Sequence, residues 1–317
     1  MGKGNDRMKN VSLAPYTTFK IGGPADEFIE AKTTEELVGA VAEARKKNIP
    51  VWVLGGGTNI LIGDKGFRGL VIKNSTNKIK VKGMKGSFIG ENSVSRVYVE
   101  ADAGVAINKL VRFTVEEGYK GLEMQLGLPG SVGGAVYMNS KWTKPEGYVG
   151  DAMYQAEILT STGARVMVGK EYFQFAYDTS IIQKTGDIVL SVVFALEAAD
   201  KDQLWTIANE SIAYRRLSQP QGVKSAGCTF QNVPQVEILS RGLPKEATSA
   251  GFLVDHAGLK GLQIGGAQIS PMHANFIINT GQATASDVIQ LISRAKEQVK
   301  AQFGITLVEE IVHVGEF

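Results

Sequence analysis

The chain holds one cysteine, Cys228, among 317 residues. A single thiol excludes an internal disulfide and any multi-cysteine metal site. Histidine is nearly as scarce: His256, His273 and His313 are scattered, without the close His/His or His/carboxylate spacing of a zinc motif, so no metal is expected. No apolar run approaches the ~18 residues of a membrane span, and the polar opening MGKGNDRMKN lacks the apolar core of a signal peptide. The expectation is a cytoplasmic protein without membrane contact. An excess of one charge is also missing: 34 Lys and Arg stand against 32 Asp and Glu, a net +2, with no block of five basic residues. The densest basic stretch, Lys78, Lys80, Lys82 and Lys85, alternates with other residues, which suits a solvated strand face and not a nucleic-acid track. No internal repeat is seen.

What the chain has in quantity is glycine, 37 residues. Four of them lie with one proline in Gly127 to Asn139, GLPGSVGGAVYMN, a run that reads as neither helix nor strand. Glycine lets the backbone approach a ligand closely, and consecutive N–H groups in such turns form a concave nest for anions such as phosphate. A tight structural turn is the alternative. A second cluster, Gly55-Gly56-Gly57-Thr58-Asn59, directly follows the apolar run Val51 to Leu54, and two such loops suit a long diphosphate ligand. The segment after it, Ile60-Leu61-Ile62 to Gly63, Gly66 and Gly69, opens no helix, so it lacks the nicotinamide-type GxGxxG context. Phosphate there would be held by loop amides and not by a helix N-terminus.

At this length, with 44% hydrophobic and 21% charged residues, two globular domains are expected. Tyr16 to Pro24 reads as a third loop after a mobile start. Thr33 and Glu36 make a capping-box pattern ahead of Leu37, Val38, Val41 and Ala44 at helical spacing. Arg96 to Ala101 alternates like a strand, and Ile107 to Glu117 is a helix stopped at Gly118. Ala156 to Thr160 and Arg165 to Val168 form a hairpin, and Asp187 to Leu196 another strand. Rising polarity at Ala198 to Asp202 marks the domain boundary, with a helix capped by Asp200 and Leu204, Ile207 and Ile212 inward. This gives domains of 1–200 and 201–317. Beyond lie a loop with Cys228, a glycine-rich segment Gly258 to Gly266, a strand Phe276 to Ile278, a helix near Ser286 to Phe303 stopped by Gly304, and a final strand Ile305 to Val314.

Taken together, GGGTN at 55–59, GLPGSVGGAVYMN at 127–139, SAGCTFQN at 225–232, GLKGLQIGGAQIS at 258–270 and HANFIINTGQATASDV at 273–288 closely resemble the UDP-N-acetylenolpyruvoylglucosamine reductases, in that family's order and approximate spacing. The resemblance runs from about Leu13 to Glu316 and looks like the shorter class of these enzymes. It implies an α+β chain: a two-part FAD-binding domain of the vanillyl-alcohol-oxidase (PCMH) type and an α+β C-terminal substrate domain. It also implies bound FAD, NADPH as co-substrate, a UDP-sugar substrate and a role in peptidoglycan precursor synthesis. A monomer is the expectation.

By the same resemblance Cys228, where many relatives carry serine, is the proton donor. A thiol with an unperturbed pKa of about 8.5 is mostly protonated at neutral pH yet far more acidic than a hydroxyl. Glu310 matches the family's active-site glutamate, although its neighbour Glu309 stands where proline is usual and leaves the register open by one residue. The cofactor-binding set is Gly55, Gly56, Gly57, Thr58 and Asn59 with Gly127, Pro129, Gly130, Ser131, Gly133 and Gly134. The substrate-binding set is Tyr177, Arg215, Gln231, Asn232 and His273. Three departures stand out. The family's catalytic arginine, in Tyr-Arg-x-Ser, is here Asp178 in Tyr177-Asp178-Thr179-Ser180. A short Ala-Gly-Ala-Tyr-Gly segment is here SKWTKPEGYVGD, Ser140 to Asp151. The basic residue before the linker Gln-Pro is here Ser218. With Asp178 in the catalytic set, either another cation substitutes (Arg215, Arg216 and Lys224 are the candidates, Arg215 foremost, with Asp178 orienting it), or Asp178 faces away, or the chain is a weakened or repurposed FAD- and nucleotide-sugar-binding homologue.

Overall fold

The computed structural model describes residues 7–89, 92–143 and 146–317. The first six residues of the polar N-terminus, and Lys144 and Pro145 of the departing 141–150 segment, lie outside the described residues. Contacts divide the chain into two compact units. The first comprises residues 1–7, 29–56 and 71–217, and the second 8–28, 57–70 and 218–317.

The first unit is built on an antiparallel sheet. Its order is Arg165–Gly169, Met153–Leu159, Ile188–Ala198, Asn92–Asp102, Ile79–Ile89, with the short strand Tyr119–Lys120 also paired to Ile188–Ala198. Alternation sets the faces: Val97, Val99 and Ala101 are buried, whereas Glu100 takes up Lys80 and Lys82 at 2.7 and 3.6 Å, the solvated basic strand expected there. The central strand is buried along most of its length, as an apolar run of this kind predicts for an interior strand. The helix Ile107–Glu116 contributes Ile107, Leu110, Val111 and Val115 to the same core. The helix Thr34–Lys46 opens with the expected capping box of Thr33 and Glu36.

The helix Lys201–Ser218 does start at the expected boundary, and Asp200 accepts from the Gln203 N–H at 3.0 Å. It does not open a new domain, however. Leu204 and Ala208 lie in the core of the first unit, because the buried face runs Leu204, Ala208, Ser211, Arg215, an i, i+4, i+7, i+11 stripe. The units part after Leu217, and Ile207, expected inward, is outside the core while Ile212 packs against it.

The second unit also uses chain from the N-terminal third. Met8–Ser12, expected to be a mobile start, is a strand paired antiparallel with Pro24 to Phe28. Ile60–Ile62 pairs parallel with Val312–Val314. A three-stranded sheet joins Gln263–Ile264, Ala267–Ile269 and Ile277–Asn279. The helix Ala285–Phe303 carries a Thr284/Asp287 capping box, ends at Gly304 with φ 71, and buries Val288, Leu291, Ile292, Ala295 and Val299. Phe19, Ile21 and Leu61 share that core. The expected strand Ile305 to Val314 shortens to Val312–Val314, because the chain at Glu309 turns aside to bridge Phe230.

Candidate functional site

The two glycine clusters meet inside the first unit. A Cβ on Gly55 would lie 2.3 Å from Ser131 Oγ, and one on Gly56 would lie 2.6 Å from Gly130 Cα. Only residues without a side chain allow that approach, so two stretches of bare main chain lie side by side. The run 127–139 is not irregular throughout, as the sequence suggested: Val132–Met138 is a short helix. Val132, Ala135 and Val136 enter the core at i, i+3, i+4, a period that Gly133-Gly134 hides. Ser131 caps it by accepting the Gly134 N–H at 3.3 Å. The Val132 and Gly133 amides donate to Val105 and Ala103 at 2.8 Å. The Gly134 amide, expected to face a ligand, is thus spent on the cap, and Gly130 and Ser131 are where the loop touches Gly55 and Gly56. Pro129 is exposed. Gly127, with φ 92, makes room for Arg215, whose Cδ lies 2.9 Å from where a Cβ would be. A residue the sequence did not single out, Lys73, donates its ammonium to the Gly55 carbonyl, and burial holds its pKa below the usual lysine range against the charge of Glu30.

The rest of the first loop belongs to the second unit. Gly57 has φ 65, and a Cβ there would sit 2.2 Å from the Tyr16 carbonyl. Its own carbonyl accepts the Thr18 N–H at 2.9 Å. The glycine is therefore demanded by the Tyr16 to Phe19 loop itself. Thr58 is half-buried. Asn59 donates from Nδ2 to the Glu310 carbonyl at 3.0 Å and accepts from the Val312 N–H at 2.9 Å, which ties the loop to the segment carrying Glu310.

The helix Val132–Met138 also positions a tight turn in the first unit. Ala176 and Thr179 exchange backbone hydrogen bonds at 3.2 and 3.3 Å around Tyr177-Asp178. Asn139 donates to the Ala176 carbonyl at 3.0 Å, and Ser180 to the Tyr137 carbonyl at 2.6 Å. Asp178 takes φ 54, a left-handed conformation that aspartate tolerates better than most residues. It is 4% exposed, and its Oδ2 has no hydrogen-bond partner. Burial pushes its pKa up, against the charge of Lys141 and a hydrogen bond from Tyr177. The cation near Asp178 is thus Lys141, on the hairpin Lys141–Thr143/Glu146–Tyr148, where the sequence reading had looked to Arg215. Arg215 is 9% exposed, and its guanidinium carbon stacks 4.1 Å over the Trp142 ring. The Trp142 ring in turn meets Tyr214 edge-on at 5.7 Å.

In the second unit Cys228 is a half-buried free thiol. Its segment is held from two sides. Asn275 donates to the Phe230 carbonyl at 2.8 Å and accepts the Phe230 N–H at 2.9 Å, and the Glu310 N–H donates to the Thr229 carbonyl at 2.8 Å. Cys228 and Glu310 therefore lie on neighbouring chain segments. Of the two adjacent glutamates, Glu309 faces Lys296 and His313, the latter at 2.7 Å, and the His313 hydrogen bond, opposed by burial and reinforced by Lys296, holds its pKa down to about 2. Gln231 contributes its N–H to the Val308 carbonyl at 2.8 Å, and Asn232 accepts the Ala250 N–H at 3.2 Å, a helix-starting role not foreseen. His273 accepts the Asn275 N–H on Nδ1 at 3.2 Å, and burial pushes its pKa down, so the ring is neutral with Nε2 as the donor. Among the described residues no group of three His, Cys, Asp or Glu is placed to hold a metal, and no helix is long and apolar enough to cross a membrane.

A model of the UDP-N-acetylenolpyruvoylglucosamine reductase C-terminal domain matches residues 219–314, and a model of an FAD binding domain matches residues 25–169. The UDP-N-acetylenolpyruvoylglucosamine reductase of Caldicellulosiruptor bescii is 37% identical over 316 residues, 99% of this chain and 92% of the relative. That of Chlamydia felis is 36% identical over 304 residues, 96% and 93% of the two chains. The crystal structure of the enzyme from Thermus caldophilus superposes with a TM-score of 0.77 at 34% identity, covering 98% of both chains. A VAO-type flavoprotein from Myceliophthora thermophila, 12% identical, covers 88% of this chain and 70% of its own at a TM-score of 0.52 and shares the fold alone. The expected fold class holds.

Proposed function

This chain belongs to the UDP-N-acetylenolpyruvoylglucosamine reductase family, and we propose that it reduces the enolpyruvyl ether of UDP-N-acetylglucosamine to UDP-N-acetylmuramate, with FAD as bound cofactor and NADPH as co-substrate. The apposed loops Gly55–Gly56 and Gly130–Ser131 fit a flavin diphosphate, since they bring main chain and the Ser131 hydroxyl together with no larger side chain between them. When bound, FAD carries hydride from NADPH to the methylene carbon of the enolpyruvyl group. The protein's own residues have the remaining tasks. Charge that builds beside the substrate carboxylate requires a fixed cation, and Arg215, immobilised on Trp142, holds the substrate's other anionic groups. The carbon that gains negative charge must then take a proton. Cys228 gives up its thiol proton to that carbon, and Glu310 assists at the same carbon as an acid. In the second unit Gln231, Asn232 and neutral His273 serve the substrate, with His273 donating from Nε2.

The observation that carries this reading is the pairing of the Cys228 and Glu310 segments through the Glu310 N–H and Thr229 carbonyl, which sets the chain segments that carry the thiol and the carboxyl side by side in one unit. The test is anaerobic: purified protein with a visible flavin spectrum is bleached with NADPH and then given the enolpyruvyl substrate. Reoxidation that depends on substrate supports the proposal. Asp178 favours a second reading, a binding homologue without turnover, and flavin that bleaches but never reoxidises with substrate would establish it.

A further inference from the structure

The two stretches that depart most from the family pattern meet in the folded first unit. The Lys141 ammonium sits 3.3 Å over the ring of Tyr177, the residue beside Asp178, and its hairpin partner in register is Tyr148. Tyr148 feels Asp178 as well, among the charges that, after burial, raise its hydroxyl pKa. A cation seated on a ring face is held in place without being neutralised by a carboxylate. Asp178, for its part, is buried with Oδ2 lacking a donor, an arrangement that costs stability unless a polar ligand shares the space. A cation seated on the Tyr177 ring and, at the next residue, a buried carboxylate with one oxygen lacking a donor describe a polar subsite and not a structural salt bridge.

We propose that Lys141 is the catalytic cation that faces the enolpyruvyl carboxylate of the nucleotide sugar, and that Asp178 is the residue that positions it. The proposal rests on the reductase reading. It assigns to the Lys141 hairpin the charge that the Asp178 turn does not supply: the ammonium lies against the substrate carboxylate and supports the negative charge that builds on the adjoining carbon. Asp178 acts through Lys141. Its carboxylate draws the ammonium toward the turn, while the ring of Tyr177 limits its sweep.

The test uses flavin-loaded protein with two readouts. Calorimetric titration compares UDP-N-acetylglucosamine enolpyruvate with UDP-N-acetylglucosamine, which lacks the carboxylate. Anaerobic stopped-flow separates reduction by NADPH from reoxidation by substrate. Lys141→Met is expected to erase most of the affinity preference for the enolpyruvyl compound and to slow reoxidation roughly 100-fold, with reduction by NADPH unchanged as evidence of an intact fold. Lys141→Arg is expected to keep the preference and to reoxidise within about tenfold of wild type. Asp178→Asn slows reoxidation in the wild-type background and has no further effect beside Lys141→Met, which a purely structural role would not produce. Asp178→Arg brings no gain, since two cations then compete for one subsite. A Lys141→Met protein with wild-type preference and reoxidation overturns this inference and leaves the reductase reading standing, as does a large rate gain from Asp178→Arg. A wild-type protein that takes up neither flavin nor nucleotide sugar overturns both.

Discussion

Replacing Glu309 and Glu310 one at a time by glutamine should separate stability from catalysis. Glu309 is held at about 2 where an ordinary glutamate carboxyl sits at 4.5, by His313 first and by Lys296 against the opposing effect of burial. At about 1.4 kcal/mol per tenfold change, that depression is worth roughly 3 kcal/mol of folding stability at neutral pH. The sign follows from the direction. A carboxyl lowered by folding contributes fully above its unfolded pKa and loses the contribution as pH falls toward the folded value. The effect should therefore be complete at pH 6–7, about half gone by pH 3 and small near pH 2. Lys296 and His313 are about a third exposed, so after Glu309→Gln they can turn to water, and the loss should not exceed this figure. Urea unfolding of wild type and Glu309→Gln across pH 7 to 3 reads the gap. Flavin reoxidation by substrate should change little in Glu309→Gln and fall by orders of magnitude in Glu310→Gln, with the stabilities reversed. A gap that stays constant with pH, or a Glu309→Gln protein that reoxidises as slowly as Glu310→Gln, would refute both the charge argument and the assignment of the acid.

Cys228→Ala should leave NADPH reduction of the flavin nearly intact and slow reoxidation by several orders of magnitude, while Cys228→Ser keeps substantial activity; equal loss in both half-reactions would mark a structural cysteine. Gly56→Val should force the two glycine loops apart at Gly130 and release flavin, measured as loss of visible absorbance on gel filtration. Gly57→Val reports something else: it collides with the Tyr16 carbonyl and should lower stability by roughly 2–4 kcal/mol by thermal unfolding, whatever happens to the cofactor. Arg215→Ala should raise the substrate KM and slow reoxidation about 100-fold or more, and Trp142→Leu, which only loosens the stacked guanidinium, should cost roughly tenfold.

Much of the second unit's scaffold was legible because its signals are local. Helical spacing announces the long helix and Gly304 ends it; in the first unit the Thr33/Glu36 cap announces Thr34–Lys46. The helix inside GLPGSVGGAVYMN was hidden because two glycines, poor helix formers, interrupt an apolar period that only core contacts with Val132, Ala135 and Val136 make effective. The domain boundary was misplaced because a rise in polarity marks a helix start, whereas the ownership of that helix is decided by what Leu204 and Ala208 bury against. The strand Met8–Ser12 was invisible for a related reason: its residues are mostly exposed, and it exists because Pro24 to Phe28 offers it an edge.

Site residues divide along the same line. Motif spacing named Cys228 and the glycine loops, since the chemistry of a thiol or a bare main chain travels with the residue type. It could not say that Glu309, next to Glu310, is held by Lys296 and His313, because those partners come from the helix and strand that the fold brings beside it. Nor could it weigh Asp178. Along the sequence an arginine replaced by a carboxylate reads as lost function, a reversal worth about 4 kcal/mol per unit charge at 4 Å and an effective dielectric of about 20. In the fold the same carboxylate lies next to the Tyr177 ring on which the Lys141 ammonium is seated, so on the proposed reading the hairpin supplies the charge that the turn lacks. On that reading the two departures compensate each other, and replacing Asp178 should add no loss once Lys141 is gone.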